Sequence, residues 1–236
     1  MGKTLLKLKK DNLETRTLKS PAFIFDMDGV IVDSNPYHTI ALKQFCNKYG
    51  RHLSEEELRE KIYGRRNQDW LKVIFGPLEP GKLKALADEK EAIFREIYFN
   101  DIKPLGGLTD FLKKMSVLGI SRAIATSAPR ANVDFTLEKT GLGPYFQTIL
   151  DDRFVQHGKP HPEIYLKAAE ALNYKPENCV VFEDSLAGIE AGKKAGCKVV
   201  GVTTTHFREE LKGTDLVINN FEDLDPEEMI STLFSS

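Results

Sequence analysis

Short apolar runs that stop abruptly at polar residues punctuate this chain, the pattern of strands buried on both faces of a parallel sheet. Strands are predicted at Phe23 to Phe25, Ser121 to Ala125, Thr148 to Leu150, Cys179 to Phe182, Val199 to Val202 and Leu216 to Ile218. Helices fill the gaps between them. Leu108 to Leu118 ends at Gly119, Pro162 to Leu172 opens on a proline suited to a first helical turn, and Leu186 to Ala195 stops at Gly196. From about Thr109 onward the alternation is regular, which predicts an α/β core whose parallel sheet is covered by helices.

Residues 35–104 break that rhythm, with no convincing strand and helical spacing throughout, so an inserted all-helical domain is predicted there. Tyr37, Ile40, Ala41, Phe45 and Tyr49 recur at helical spacing up to Gly50, and Ser54 with Glu57 makes a capping box for the next helix. A third helix follows the loop Gly64-Arg65-Arg66-Asn67, and Pro80 with Gly81 opens a long one reaching about Phe99. In that helix Phe94, Ile97 and Tyr98 read as packing positions. Turn-forming residues cluster at both joins, Ser34 to Pro36 and Pro104 to Gly107. The predicted division is a polar extension over residues 1–20, a core built from residues 21–34 and 105–236, and the insert of residues 35–104.

With 236 residues and 41% hydrophobic content, the chain can bury a substantial core. Its net charge is −2, and no basic stripe carries aromatics, so no nucleic-acid partner is expected. The basic cluster Lys3 to Lys10 lacks both an apolar core of signal-peptide length and a small-residue cleavage site. No apolar run is long enough to cross a bilayer, and no membrane partner is expected. Cys46, Cys179 and Cys197 are widely spaced in apolar segments, as buried reduced thiols would be, which points to a cytoplasmic location. A monomer is expected.

The chemistry lies where the apolar runs end. Phe23-Ile24-Phe25 runs into Asp26-Met27-Asp28-Gly29, and a strand tip gains nothing from two acids whose repulsion is about 4 kcal/mol at 4 Å in a partly screened site. An Asp-Gly hairpin turn is the bland alternative, but Val30, Ile31 and Val32 form no period-two partner for the preceding run. Ala123-Ile124-Ala125 ends in Thr126-Ser127, which offers a hydroxyl and backbone N–H groups to a phosphate oxygen, or simply a strand-end cap. Lys159 is flanked in Gly158-Lys159-Pro160-His161-Pro162 by prolines that limit the backbone, so its cation can be aimed at phosphate and nucleophile. His161 reads as a cap or a solvent-facing residue without a catalytic role. Cys179 to Phe182 closes on Glu183-Asp184-Ser185, where Asp184 alone could be explained by a favourable helix dipole and Ser185 by capping. If the strands are parallel neighbours, Asp26, Asp28, Glu183 and Asp184 meet at one sheet edge and require a cation, for which hard oxygen ligands favour Mg2+.

These residues, in this order, resemble the four motifs of the haloacid dehalogenase-like phosphohydrolases, over roughly residues 21–220. Asp26 to Ser34, Gly158-Lys159-Pro160 and Glu183 to Ile189 are most similar to the branch of β-phosphoglucomutases and sugar phosphatases, whose helical cap corresponds to residues 35–104. The resemblance implies an α/β fold with a Rossmann-like parallel sheet core covered by helices and an inserted all-helical cap domain. It implies Asp26 as nucleophile forming an aspartyl phosphate, and Asp28 as general acid and base. Mg2+ would be held by Asp26, the Asp28 carbonyl, Asp184 and Glu183, while Thr126, Ser127, Gly29 and Lys159 would surround the phosphoryl group.

His38 matches a histidine that in the mutase couples cap closure to the general acid, and Arg65, Arg66 and Asn67 lie on the cap loop that faces the site in this branch. The mutase has an arginine, which grips a second phosphate, where this chain has Asn67. The expectation is therefore a Mg2+-dependent hydrolase of a small phosphorylated metabolite, with a sugar phosphate preferred. β-Phosphoglucomutase is the alternative, and a non-catalytic Mg2+-binding receiver or interaction module the remote one.

Overall fold

The structure, a computed structural model, describes residues 20–54, 56–58 and 66–235. Its strands are β1 Ala22–Phe25, β2 Arg122–Ala125, β3 Thr148–Leu150, β4 Cys179–Glu183, β5 Lys198–Val202 and β6 Leu216–Ile218. Each predicted strand is present, with its ends within one residue of the apolar run that announced it. All pair in parallel, in the order β3-β2-β1-β4-β5-β6. The chain therefore has an α/β fold with a parallel sheet, and the Asp-Gly hairpin is excluded, because β1 pairs with β2 and β4 and with no strand directly after it.

The helices are α1 Asn35–Lys48, α2 Asn67–Phe75, α3 Pro80–Tyr98, α4 Leu108–Val117, α5 Arg130–Thr140, α6 Glu163–Ala171, α7 Leu186–Ala195 and α8 Pro226–Phe234. Alternation along β1 assigns its two faces. Phe23 and Phe25 join Phe111, Phe146, Phe182 and Phe221 in a layer covered by α4, α5 and α8, where the Phe25 and Phe182 rings stack at 4.6 Å. Ala22 and Ile24 face the opposite layer, in which Ala123, Ala125, Ala168, Ala169 and Ala191 let α6 and α7 lie close to the sheet. With both faces covered, β1 is fully buried, as its uninterrupted apolar run requires.

Between β1 and β2 the described residues contain no strand. Helix α1 packs on α3, and Leu42, Phe45, Cys46, Trp70, Leu71 and Leu86 form a core of their own. The predicted capping box is made: Ser54 N–H donates to Glu57 Oε2 at 3.0 Å and Glu57 N–H to Ser54 Oγ at 3.1 Å. The chain leaves and returns side by side, with Val32 bridging Pro104 and Leu105 N–H donating to the Ile31 carbonyl at 2.8 Å. All three cysteines are free and buried, and no helix among the described residues is long and apolar enough to cross a membrane.

One buried charge pair sits in α3. Lys90 lies on the same stripe as Leu86 and Phe94 and is 2.9 Å from Glu91, both side chains being 7% exposed. Glu91 also accepts from Asn67 Nδ2 and Asn132 Nδ2, each at 2.7 Å, and so ties α3 to α2 and to α5 of the core. Burial alone would raise the Glu91 carboxyl. The charge of Lys90 and the two amides outweigh it and hold the group at about 2. Its folded value thus lies below the ordinary 4.5, so its contribution to stability is complete above 4.5 and is lost as pH falls toward 2. Glu91→Ala leaves the buried Lys90 ammonium without its counter-charge and is expected to cost about 3–5 kcal/mol in urea unfolding at neutral pH. The gap between wild type and variant should narrow as the measurement is moved from pH 5 to pH 3.

Candidate active site

The strand order brings three polar strand ends together, because β1 lies between β2 and β4. Asp26 follows β1, Thr126 follows β2, and Glu183 with Asp184 close β4. The Asp26 N–H donates to the Phe182 carbonyl at 3.0 Å, which continues the ladder as far as the carboxylate. Behind it the chain turns tightly, with Ile31 N–H donating to the Met27 carbonyl at 2.8 Å and Gly29 N–H to the Val32 carbonyl at 2.8 Å. Gly29 has φ +76°, and a Cβ there would overlap the Asp184 carboxylate, so both backbone and space require glycine.

Lys159 enters from the segment before α6 and places its ammonium 3.0 Å from Asp26 Oδ1 and 2.5 Å from Glu183 Oε1, with its side chain 7% exposed. Burial would lower this lysine, but the charges of Asp26 and Glu183 hold it above its ordinary value. Glu183 is fully buried and already well supplied with donors. Its Oε1 accepts from Lys159 and from the Tyr165 hydroxyl, and its Oε2 from the N–H groups of Asp184 and Ser185 and from the Ser185 hydroxyl. Ser185 also caps α7 as expected, its hydroxyl accepting from Gly188 N–H at 3.1 Å. Asp184 accepts from Asn35 Nδ2 at 2.9 Å and from the Thr205 hydroxyl.

Asp28 is held differently. The Ser34 hydroxyl donates to its Oδ1 at 2.5 Å, and His38 Nε2 lies 3.4 Å from the same oxygen. The other ring nitrogen of His38 faces the Lys90 ammonium at 2.9 Å, and the ring stacks on Phe94 at 3.6 Å. An ammonium can only donate, so Nδ1 accepts and Nε2 carries the hydrogen toward Asp28. Burial would raise Asp28, but the hydrogen bonds from His38 and from the Ser34 hydroxyl bring it below its ordinary value. Asp26 and Asp28, two residues apart, thus sit in opposite electrostatic settings. Asp26 is pushed up to about 7 by burial against the pull of Lys159, with Glu183 and Asp28 adding to the rise.

Residues 21–196 match the family model described as haloacid dehalogenase-like hydrolase. The chain belongs to that family. It is 35% identical over 187 residues to a phosphorylated carbohydrates phosphatase of Thermotoga maritima, covering 77% of this chain and 84% of that one. A solved hydrolase of the same family from Entamoeba histolytica superposes with a TM-score of 0.83 at 31% identity, over 90% of this chain and 99% of that one. A β-phosphoglucomutase from Clostridium difficile gives 0.79 at 29% identity, over 91% and 97% of the two chains. This hydrolase is accordingly an enzyme of the phosphatase and phosphoglucomutase kind.

Its acidic cluster fits a divalent cation. Oxygens of Asp26, Glu183 and Asp184 lie within 4.8 Å of one another, all buried. Asp26 Oδ1 has no hydrogen-bond donor in a properly directed position, although the Lys159 charge is close. Burial, with Glu183 and Asp26 adding to it, pushes the Asp184 carboxyl well above its ordinary value, the mark of a carboxylate set awaiting more positive charge than one lysine gives. The donors are hard oxygens, as Mg2+ prefers.

The remaining predicted residues of the hydrolase are less uniformly placed. Thr126 is buried beside β1, but its own N–H is taken by the Leu150 carbonyl at 3.0 Å, and its hydroxyl oxygen accepts from Ala128 N–H at 3.1 Å, so of the backbone donors expected at Thr126 and Ser127 that of Thr126 is engaged. Its hydroxyl hydrogen remains available, and Ser127 is exposed. Arg66 reaches across to the core, pairing with Asp69 at 3.0 Å and donating to the Gln156 carbonyl at 3.3 Å. The Asn67 amide is engaged on both sides, donating to Glu91 and accepting from the Trp70 indole at 2.9 Å, which differs from the expectation of a residue open to substrate. Arg65 lies outside the described residues.

Ser34, Asn35, Lys90, Tyr165 and Thr205 were not singled out from the sequence. Two signals existed for them. Lys90 interrupts the apolar stripe from Leu86 to Phe94, and the run Thr203-Thr204-Thr205 ends β5 as the other motifs end their strands. Since a Cβ on Gly188 would overlap the Glu183 carboxylate, Gly188→Ala should displace Glu183 and with it Lys159. The expected cost is about 1–3 kcal/mol of stability together with a clear loss of phosphate release from p-nitrophenyl phosphate. Gly81→Ala, where a Cβ meets nothing, should reduce neither quantity.

Proposed function

We propose that this hydrolase is a Mg2+-dependent phosphatase of a small phosphorylated metabolite, a sugar or polyol phosphate, acting through an aspartyl-phosphate intermediate. The observation that carries this reading is the pairing of buried Asp26 with Lys159, with Asp28 two residues on and held apart from them by Ser34 and His38. Asp26 attacks phosphorus, and Lys159 and the Thr126 hydroxyl draw charge from the phosphoryl oxygens. Bound Mg2+ would be held by Asp26, Asp184 and the Asp28 carbonyl and would supply further neutralisation of the phosphoryl charge. Glu183 lies beside that ion, in reach of it with Asp26 and Asp184, and anchors Lys159 there. Asp28 protonates the leaving oxygen and then deprotonates water. The charge of an arriving phosphate raises its pKa and thereby loads it with the proton it must deliver.

The helical insert of residues 35–104 serves as the cap, and His38 is its contact with the general acid. Similarity to a phosphorylated carbohydrates phosphatase supports the substrate class. β-Phosphoglucomutase is the second reading, favoured by the likeness to that enzyme from Clostridium difficile. Against it, the Asn67 amide is engaged with Glu91 and Trp70, and Arg66 with Asp69 and Gln156, so neither side chain stands free to grip a second phosphate.

A phosphate-release assay across sugar and polyol phosphates, run beside a coupled assay for glucose 6-phosphate from β-glucose 1-phosphate, separates the two. Net phosphate release is expected; efficient isomerisation with little free phosphate reverses the choice. Asp26→Asn should abolish turnover with its unfolding midpoint preserved, and unchanged activity removes Asp26 as nucleophile. Asp28→Asn should slow turnover about 10²–10⁴-fold while still capturing phosphate. If capture and release slow equally in that variant, Asp28 is not the proton carrier.

A further inference from the structure

The turn that delivers Lys159 carries a second group of ligand-type side chains on its outer side. His157 and His161 flank the lysine, both exposed, with ring centroids 4.6 Å apart and planes tilted by 36°. Glu163, the first residue of α6, closes the group, its Oε2 lying 3.2 Å from His157 Nδ1. One ligand atom from each of the three lies within 4.8 Å of the other two. A tetrahedral ion with bonds of about 2.0–2.2 Å needs ligand atoms about 3.3–3.5 Å apart. The His157 and Glu163 pair is already close to that spacing at 3.2 Å, and the His161 ligand atom lies within 4.8 Å of both.

An exposed histidine and glutamate often form nothing more than a weak surface ion pair. Here the carboxylate is set in place beforehand. It accepts from the N–H groups of Gln156 and His157 and from Lys167 Nζ at 2.8 Å, the kind of supporting bonds that orient metal ligands. His161 takes the Glu163 N–H on Nδ1 at 3.3 Å, which leaves its Nε2 for another partner.

We propose that His157, His161 and Glu163 form a second metal site, separate from the carboxylate cluster and suited to a Zn2+-class ion. Two imidazoles and one carboxylate, with a fourth position open to water, suit Zn2+ or Co2+ and suit Mg2+ poorly, because Mg2+ demands an octahedron of oxygens. The chelate spans Lys159 and clasps both ends of the turn that aims it. Chain order alone thus links an outer soft-metal site to the phosphate-facing cation.

The test is titration of the full-length protein with Co2+ in excess Mg2+, followed by calorimetry and visible absorption. One Co2+ per chain is expected, with the strong visible bands of a tetrahedral centre and displacement by Zn2+. His157→Ala and His161→Ala should each weaken this binding by more than about 100-fold, since loss of a direct ligand exceeds the 10–100-fold effect of losing a supporting one. Both variants should keep the metal-free unfolding midpoint and the Mg2+-supported turnover of the wild type. Wild-type affinity in either variant, or absence of Co2+ binding in excess Mg2+, overturns the site and leaves the phosphatase reading untouched.

Discussion

The structure depends on a surplus of buried negative charge gathered around one ammonium. Asp26, Glu183 and Asp184 crowd into a space where their oxygens lie within 4.8 Å, and Lys159 reaches two of them. Like charges at such separation repel by about 4 kcal/mol even in a partly screened setting. No isolated helix or hairpin would hold them together. The surrounding sheet does so because its central strand is buried on both faces and the ladder reaches Asp26, whose N–H donates to the Phe182 carbonyl, and Glu183, which pairs with Gly201 of β5.

That constraint accounts for details that otherwise look arbitrary. Glu183 is satisfied by Lys159, Tyr165 and the groups of Asp184 and Ser185 just before α7, so it is held in one place although fully buried. Gly29 and Gly188 leave room for the Asp184 and Glu183 carboxylates respectively. Thr205 and Asn35 approach Asp184 from β5 and from the start of the insert, so five strand-end or helix-start segments converge on one crevice. This is the place where an open parallel sheet receives a ligand.

Much of this was legible because a parallel strand and its polar end write themselves into adjacent residues. Phe23 to Asp28 and Cys179 to Asp184 each give both the strand and the chemistry at its tip, and sheet order then needs only the parallel pairing that the helix rhythm implies. The insert was legible as helices but not as partners. The capping box at Ser54 and Glu57 involves neighbours in sequence, whereas Glu91 meets Asn67 and Asn132 through three different helices. A charged residue on a long helix reads as solvated unless its place on the apolar stripe is noticed, as it is for Lys90 between Leu86 and Phe94. Asn67 and Arg66 were legible as a loop near the site, but which way an amide or a guanidinium turns is decided by packing that sequence spacing does not encode.

The same long-range polar contacts explain how the insert bears on the reaction. Asp28 is oriented by Ser34, at the exit from the core, and by His38, one turn into α1. His38 is in turn fixed by Lys90 and by stacking on Phe94, both on α3, and Lys90 by Glu91, which is bound to Asn132 of the core. The chain of contacts therefore starts on the core, crosses two helices of the insert and returns to the core at Asp28. Of the two aspartates only Asp28 is in contact with the insert, through His38, whereas Asp26 is held by the sheet and Lys159. Asp26 and Asp28, two residues apart in sequence, thus belong mechanically to different parts of the molecule. Asp26 keeps its place however the insert sits, while Asp28 takes its orientation from where the insert rests.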